Sequence, residues 1–172
     1  MTRILLPIRP RFLEDIAAGL KDIEVRRNKP SKELPIEVFM YRAKGKPKPC
    51  DCDFPHEFID RYGGKVVGRF ILRFVEEACI NPWNGQYVAQ RTRDFKEMLR
   101  RTRLEEKELL HYIKGSGPFF LWHVSDLQIF DEPLELSDFI TTSEDHECRR
   151  VTYPPQSWLY VDLCEERRTE NR

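Results

Sequence analysis

Residues 8–27, IRPRFLEDIAAGLKDIEVRR, contain a change from helix to strand within twenty positions. The apolar residues of the first half recur at helical spacing, with Pro10 near the first turn and Gly19 as a stop signal. The second half alternates apolar and charged residues, which is typical of a half-buried strand. The charged side chains of Glu24 and Arg26 therefore share one strand face, close after Lys21 in the turn.

Two interpretations of Lys21, Glu24 and Arg26 are open. In the first, the helix ends and a solvated edge strand follows, with surface ion pairs that each contribute less than about 1 kcal/mol. In the second, the turn presents the three groups to a ligand. A guanidinium binds phosphate or carboxylate in a bidentate manner, and a lysine in a dry cleft can act as base or nucleophile. Nearby carboxylates would instead keep the lysine protonated, as a group that stabilises an oxyanion.

The composition indicates a folded, single-domain protein. Of 172 residues, 40% are hydrophobic, 34% are charged and 12% are aromatic, which suits a chain with a real core. We expect one domain over residues 1–164, with 44–64 and 79–103 as elaborated connections, and a charged tail at 165–172. No apolar run approaches the roughly 20 residues that cross a bilayer, and the N-terminus is too charged for a signal peptide. The prediction is a cytoplasmic protein with no membrane contact.

Charge and cysteines limit the ligand classes. The net charge is zero, but residues 1–49 carry 12 Lys/Arg against 6 Asp/Glu, whereas residues 104–172 carry 7 against 15. A basic side that accepts anions is thus permitted. Five scattered cysteines indicate free thiols rather than a disulfide framework. Cys50, Cys52 and His56 resemble half of a zinc site, but no second ligand pair is evident, so we expect neither a metal nor a cofactor.

Sequence patterns further along the chain favour many short strands and few helices. Strands are predicted at 3–8, 36–43, 65–78, 119–130 and 157–163, and Gly68 indicates a bulge or a close backbone approach. Residues 90–114 are predicted to form two helices that break near Thr102, with TRLE (102–105) as a capping box and Gly115 as the end. This pattern suits a small closed or partly closed β-barrel with helices outside it.

Other side chains are weaker candidates for binding. Basic residues on the predicted helix could contact RNA phosphates, among them Arg93, Lys96 and Arg100, although such a series more often forms a solvated helix face. Trp83 and Tyr87 could stack on bases or pack locally. The remaining candidates lie in the strands of the C-terminal half and beside them: Trp122, His123, Gln156 and Ser157.

Three segments together resemble the ASCH domain of the PUA-like superfamily. Gly19, Lys21, Glu24 and Arg26 match its opening Gly-x-Lys-x-x-Glu-x-Arg signature. GKVVGRF (64–70) is similar to its central strand, and FFLWHVSDLQIFDEPLELSDF (119–139) with PPQSWLYV (154–161) is similar to its C-terminal half. The resemblance covers most of residues 3–163, and it is closest to the small stand-alone bacterial and phage members. It implies an α+β fold: a mixed or antiparallel β-barrel of about six strands flanked by two to three helices.

The resemblance also implies a cleft between barrel and helices that accepts RNA or a nucleoside. In one branch, which resembles amidohydrolases of N4-acylated cytidine, the proposed catalytic set is a lysine, a threonine and a helical glutamate. Here these positions would be Lys21, Glu24 in place of the threonine, and Glu108, with Glu105 as the second choice. Ligand-binding roles would fall to Gly19, Arg26, Trp122, Gln156 and Ser157.

Three classes of function follow. The leading hypothesis is an RNA- or nucleoside-binding protein with a regulatory or RNA-processing role, because Glu24 replaces the threonine. The alternative is a metal-independent hydrolase, either an acylcytidine amidohydrolase or a ribonuclease, that uses Lys21 and a helical glutamate. The third is a protein-interaction module that uses the acidic C-terminal part.

Overall fold

A computed structural model describes residues 1–45, 62–115, 117–142 and 148–164. The helices are α1 (Pro10–Ala17), α2 (Phe95–Thr102) and α3 (Glu106–Tyr112), and a short 3-10 turn covers Leu136–Asp138. The strands are β1 (Thr2–Ile8), β2 (Ile23–Arg26), β3 (Ile36–Arg42), β4 (Val66–Ile80), β5 (Tyr87–Ala89), β6 (Gly117–Leu134), β7 (Phe139–Thr141) and β8 (Leu159–Leu163).

The eight strands of the described residues belong to one mixed sheet. Its order is β2-β6-β4-β3-β1-β8-β7, and β5 pairs with β4. β1 and β3 are parallel, whereas the other pairs are antiparallel. The predicted α+β class and mixed sheet are confirmed, with eight strands rather than about six. Among the described strands the pairings form an open path from β2 to β7, so they do not close the barrel that the sequence predicted.

Both helices of the region 90–114 begin later in the chain than the sequence predicted. The first helix begins at Phe95 instead of residue 90, because the carboxylate of Asp94 caps it by accepting from the main-chain N–H of Glu97 at 2.7 Å. The second begins after Glu105 rather than Thr102. A capping box does start it, but the box joins Glu105 to Glu108. Two helices and the break between them are confirmed.

Gly68 is a site of close backbone approach, as predicted. A Cβ atom at this position would lie 2.5 Å from the main-chain oxygen of Gln128 on β6. The pairing of β4 with β6 also shifts register between Val66 and Gly68, which marks a bulge. Only glycine lets the two longest strands of the sheet approach this closely.

Three apolar clusters form the core. The first packs α1 against β1, β3 and β4 and includes the fully buried Trp122. The second lies beneath α2 and α3, around Met98, Leu109 and Phe119. The third surrounds Phe139 near β8. β2 contributes Ile23 and Val25 to the second cluster, so its apolar face is fixed by the core and its charged face is held in a defined position.

Candidate functional site

The turn between α1 and β2 directs Lys21 into the protein. Gly19 has φ +72°, a left-handed conformation that glycine adopts without strain. The main-chain N–H groups of Leu20 and Lys21 both donate to the carbonyl of Asp15, at 2.8 and 3.0 Å. The chain therefore reverses tightly, and the Lys21 side chain enters the interior, where the residue is only 2% exposed.

The Lys21 ammonium has three acceptors. Its Nζ lies 2.6 Å from the Ile23 carbonyl oxygen, 2.7 Å from that of Thr102 and 3.1 Å from Oε2 of Glu24. Burial lowers the pKa of Lys21, while the Glu24 carboxylate opposes that shift. Since an ammonium has three donor hydrogens and no acceptor, this geometry uses its full capacity. Lys21 is built as a fixed cation and has no lone pair for attack on a substrate.

Glu24 joins the two cations. Oε2 binds Lys21, and Oε1 lies 2.9 Å from Nη2 of Arg26. Burial raises the pKa of Glu24, but the charges of Lys21 and Arg26 outweigh it and hold the pKa below its usual value. The carboxylate is therefore ionised near neutral pH and is a poor proton acceptor. The structure thus brings the three predicted residues together as a buried triad with one excess positive charge.

Arg26 connects β2 to β1. Its Nη2 also donates to the Pro7 carbonyl oxygen at 2.8 Å, so the side chain bridges the gap between two strands that are not neighbours in the sheet. Within the described residues, the buried Nε of the Arg26 guanidinium has no hydrogen-bond partner.

A cavity of about 1000 Å³ lies against the triad. Its walls come from β2, the end of β1, α3 and the segment 152–157. Five lysine and arginine residues line it against two glutamates, together with aromatic rings from several elements. These residues are Arg9, Lys21, Arg26, Arg27 and Lys44; Glu24 and Glu108; and Phe12, Tyr41, Tyr112 and Tyr153.

Glu108 lines the cavity from α3 and belongs to a different set of contacts from the triad. It accepts from Arg11 at 3.0 and 3.3 Å and from the main-chain N–H of Glu105 at 3.1 Å. It thus caps its own helix and ties α3 to α1. Glu105, the second choice for the helical carboxylate, is the N-cap of α3 and is not part of the cavity wall.

The remaining predicted ligand residues divide into two groups. Gln156 and Ser157 line the same cavity as Arg26. Trp122 does not, because it is 0% exposed and packs in the core against Trp158, with ring centroids 5.9 Å apart. The expectation that Trp122 touches a ligand is corrected on this ground. Gly19 also lies outside the cavity wall, and it contributes the turn.

The basic residues predicted to contact RNA lie away from the cavity on the α2 region. Arg100 pairs with Glu97 at 2.7 Å, Arg93 donates to the Gln90 carbonyl at 3.1 Å, and Lys96 is exposed. None of the three lines the cavity, and their contact with RNA stays a prediction.

The other aromatic and histidine candidates occupy distinct environments. Tyr87 packs on Phe95, with centroids 5.3 Å apart, whereas Trp83 is 93% exposed. His123 Nε2 lies 3.4 Å from Oε2 of the buried Glu76, and burial lowers the pKa of the imidazole. This pair stands outside the cavity wall.

Sequence reasoning missed part of the cavity wall. In the sequence, Arg9, Arg27 and Lys44 are ordinary basic residues near strand ends, and Phe12 is one of the apolar residues at helical spacing in 8–27. Tyr153 precedes the two prolines that lead into Gln156 and Ser157. The only available signal was the position of Arg9 and Arg27 at the two ends of the quoted segment.

In the described ranges, no cluster of three histidine, cysteine or carboxylate side chains is arranged to hold a metal ion. Cys79, Cys148 and Cys164 are free thiols. The proposed half-site of Cys50, Cys52 and His56 lies outside the described residues. No described helix has both the length and the apolar character needed to pass through a membrane.

Comparison with solved structures identifies the fold. The ASCH protein of Zymomonas mobilis matches with a TM-score of 0.61 and 19% identity, over 98% of this chain and 92% of that chain. Two variants of it match with a TM-score of 0.62 and 18% identity. The variant with a tyrosine changed to phenylalanine covers 99% of this chain and 96% of that one. The variant with a serine changed to alanine covers 98% and 92%.

No family model matches the sequence, and no curated protein matches it either. The structural likeness nevertheless extends over nearly the whole of both chains. The protein therefore has the fold of an ASCH domain, as the sequence resemblance implied.

Proposed function

We propose that this ASCH-fold protein binds a nucleotide, or one nucleotide of an RNA strand, in the cavity beside the triad. The observation that carries the proposal is the excess of cations over carboxylates in the wall, with Arg26 fixed at its edge. The role is binding rather than hydrolysis. It agrees with the regulatory or RNA-processing role expected from the sequence.

The charge arrangement favours an anion. Glu24 is shared by Lys21 and Arg26, so one positive charge of the triad is uncompensated. Arg27 and Lys44 line the same space. In a partly dry cavity these charges attract phosphate more strongly than they would in water, and a guanidinium suits the geometry of phosphate oxygens.

The size and the aromatic content of the cavity favour a base as well as a phosphate. A volume of about 1000 Å³ is at the upper end of small-molecule sites, and a nucleotide leaves room for a neighbouring residue of a strand. Phe12, Tyr112 and Tyr153 contribute rings to the walls, and stacking on such rings accepts any base. The ASCH fold supports the same ligand class through the resemblance described above.

The contacts argue against the hydrolase alternative. Lys21 has all three hydrogens bonded, and both carboxylate oxygens of Glu24 face cations. Glu108 is engaged with Arg11 and with its own helix cap. A general base needs an accessible lone pair within reach of substrate. Lys21 and Glu24 offer none in this arrangement, whereas Glu108, whose side chain is 34% exposed, is held in its ion pair with Arg11.

The test measures binding of a 5′-labelled short RNA and of nucleoside 5′-monophosphates by fluorescence anisotropy over a range of salt concentrations. Arg27→Ala removes an exposed cavity cation, and we expect about a tenfold loss of affinity together with a salt slope smaller by about one. Arg73→Ala is the matched control, because Arg73 is exposed, pairs only with Asp126 among the described residues, and lies outside the cavity.

Two results would overturn the proposal. In the first, Arg27→Ala binds like wild type while Arg100→Ala loses affinity, which places the RNA site on α2. In the second, N4-acetylcytidine or RNA is turned over, and both Lys21→Ala and Glu108→Ala abolish turnover in proteins that remain folded. The second result would establish the hydrolase instead.

A further inference from the structure

We infer that the open edge of β2 recognises the base of the bound nucleotide through the main-chain N–H and C=O of Val25. This inference rests on the proposed function and specifies how the same cavity selects its ligand. The groups that recognise the base belong to the main chain, so no side-chain motif in the sequence identifies them.

The hydrogen-bond pattern of β2 and β6 sets the direction of each main-chain group. Val124 donates from its N–H to the Asp22 carbonyl at 3.0 Å, and the register pairs Glu24 with Trp122. In an antiparallel ladder, residues that exchange hydrogen bonds alternate with residues that do not. Asp22 and Glu24 therefore bond to β6, whereas Val25 turns its N–H and C=O away from β6.

A side-chain contact agrees with this alternation. The Ile23 carbonyl, two residues before Val25 and directed to the same side, accepts the Lys21 ammonium at 2.6 Å. Among the strands that the structure describes, β2 is also the terminal one of the sheet and pairs with β6 alone. No described residue donates to or accepts from the outward main-chain groups of Val25.

This edge faces the cavity. The Val25 side chain belongs to the second apolar cluster and the residue is only 5% exposed, yet Val25 lines the cavity. All five consecutive residues from 24 to 28 line it. Side chains of a strand alternate between its two faces, so a cavity on one face would be lined by every second residue. A cavity that follows the main-chain edge of the strand accounts for lining by five consecutive residues.

A base fits this edge better than a peptide does. Strand addition uses main-chain bonds at alternate residues along an edge, but here the Ile23 carbonyl is already occupied, which leaves Val25 and Arg27. The N–H and C=O of one strand residue lie side by side and present one hydrogen-bond donor next to one acceptor. The Watson–Crick edge of each nucleobase presents a neighbouring acceptor and donor that complement such a pair. Arg26 and Arg27 then lie next to this position, where the phosphate is expected.

The experiment compares each of the four nucleoside 5′-monophosphates with a counterpart whose Watson–Crick hydrogens are replaced by methyl groups. The counterparts contain N3-methyluridine, N1-methylguanosine, N4,N4-dimethylcytidine and N6,N6-dimethyladenosine. We expect the monophosphate that binds most tightly to lose at least about tenfold in affinity on methylation, because Val25 is left without a partner. Ribose 5-phosphate, which has no base, tests phosphate binding alone.

A methylated counterpart that binds within about twofold of its parent overturns the inference. Failure of the proposed function gives a different result: neither the monophosphates nor ribose 5-phosphate then show binding that is weakened by Arg27→Ala. Selective ¹⁵N-valine labelling gives a direct measurement: the Val25 amide resonance should shift on addition of the parent nucleotide and not of ribose 5-phosphate. Val25→Pro, which removes the N–H, is expected to reproduce the loss. The ligand comparison decides the matter if Val25→Pro does not fold.

Discussion

Replacement of Lys21 by methionine tests whether the buried triad is held together by charge. The variant keeps a long side chain but removes the ammonium that binds Ile23, Thr102 and Glu24. Two buried carbonyls lose a donor, and the Glu24 carboxylate keeps Arg26 alone. Removal of one partner of a buried ion pair costs about 3–5 kcal/mol. Since small proteins are stable by only about 5–15 kcal/mol, we expect Lys21→Met to lose a large part of its free energy of unfolding.

Urea denaturation followed by circular dichroism measures this loss, and a double-mutant cycle assigns it. Glu24→Gln removes the other charge of the pair. We expect the double variant to lose less free energy of unfolding than the two single variants lose together, by at least about 1.5 kcal/mol. Lys65→Met is the matched control. Lys65 pairs with Glu135 at 2.8 Å on the surface, and its replacement should cost less than about 1 kcal/mol.

The reasoning is refuted if Lys21→Met unfolds within about 1 kcal/mol of wild type. Strict additivity in the cycle would refute it as well, because two residues that do not interact show no coupling. Either result would mean that Lys21 and Glu24 do not form the contact described above.

Two further predictions concern the sheet. Gly68→Ala should lower the free energy of unfolding, measured in urea, by about 3 kcal/mol, because the new Cβ would lie 2.5 Å from the Gln128 oxygen. Gly85→Ala is the control: a Cβ there has open space, and only the φ of +67° opposes it, so we expect a loss of about 1 kcal/mol. Equal losses in the two variants would contradict the packing argument. Burial raises the pKa of Glu76, but hydrogen bonds from main-chain N–H groups and from the Thr92 hydroxyl outweigh it and hold the pKa below normal. A carboxyl group whose pKa is lowered by folding stabilises the folded state fully above its unfolded pKa of about 4.3. This stabilisation is lost as the pH falls through the folded pKa. The stability gap between wild type and Glu76→Gln in thermal melts should therefore narrow from pH 7 to pH 3, and a constant gap would contradict it.

Local sequence patterns were sufficient for the part of the site that lies within one segment. The alternation after Gly19 placed Glu24 and Arg26 on one face, and the short turn brought Lys21 beside them. These contacts lie within six consecutive residues, 21–26, so their geometry is decided by local conformation. The close approach at Gly68 was predictable in the same way, because a glycine inside a long strand weakens it and is typical of a bulge or a tight backbone contact.

Features that depend on strand order could not be read from the sequence. The open edge of β2 exists only because β2 is last in the sheet, and adjacency along the chain does not reveal it. Trp122 belongs to the same strand as exposed residues, and its burial results from packing against Trp158. Residues 91 and 92, which the sequence predicted to be helical, are held outside α2 because Glu76, a residue of β4, accepts hydrogen bonds from the main-chain N–H groups of Arg91 and Thr92. Each of these outcomes is set by a partner that is distant in sequence.

The bridge from Arg26 to Pro7 has a mechanical consequence. Among the described residues, separation of paired strands elsewhere in the sheet breaks a series of main-chain hydrogen bonds, whereas separation of β1 from β2 breaks one hydrogen bond to a side chain. We therefore expect β1 and β2 to separate more easily than the paired strands do. A ligand larger than the cavity would widen it at this junction and leave the strand pairing intact.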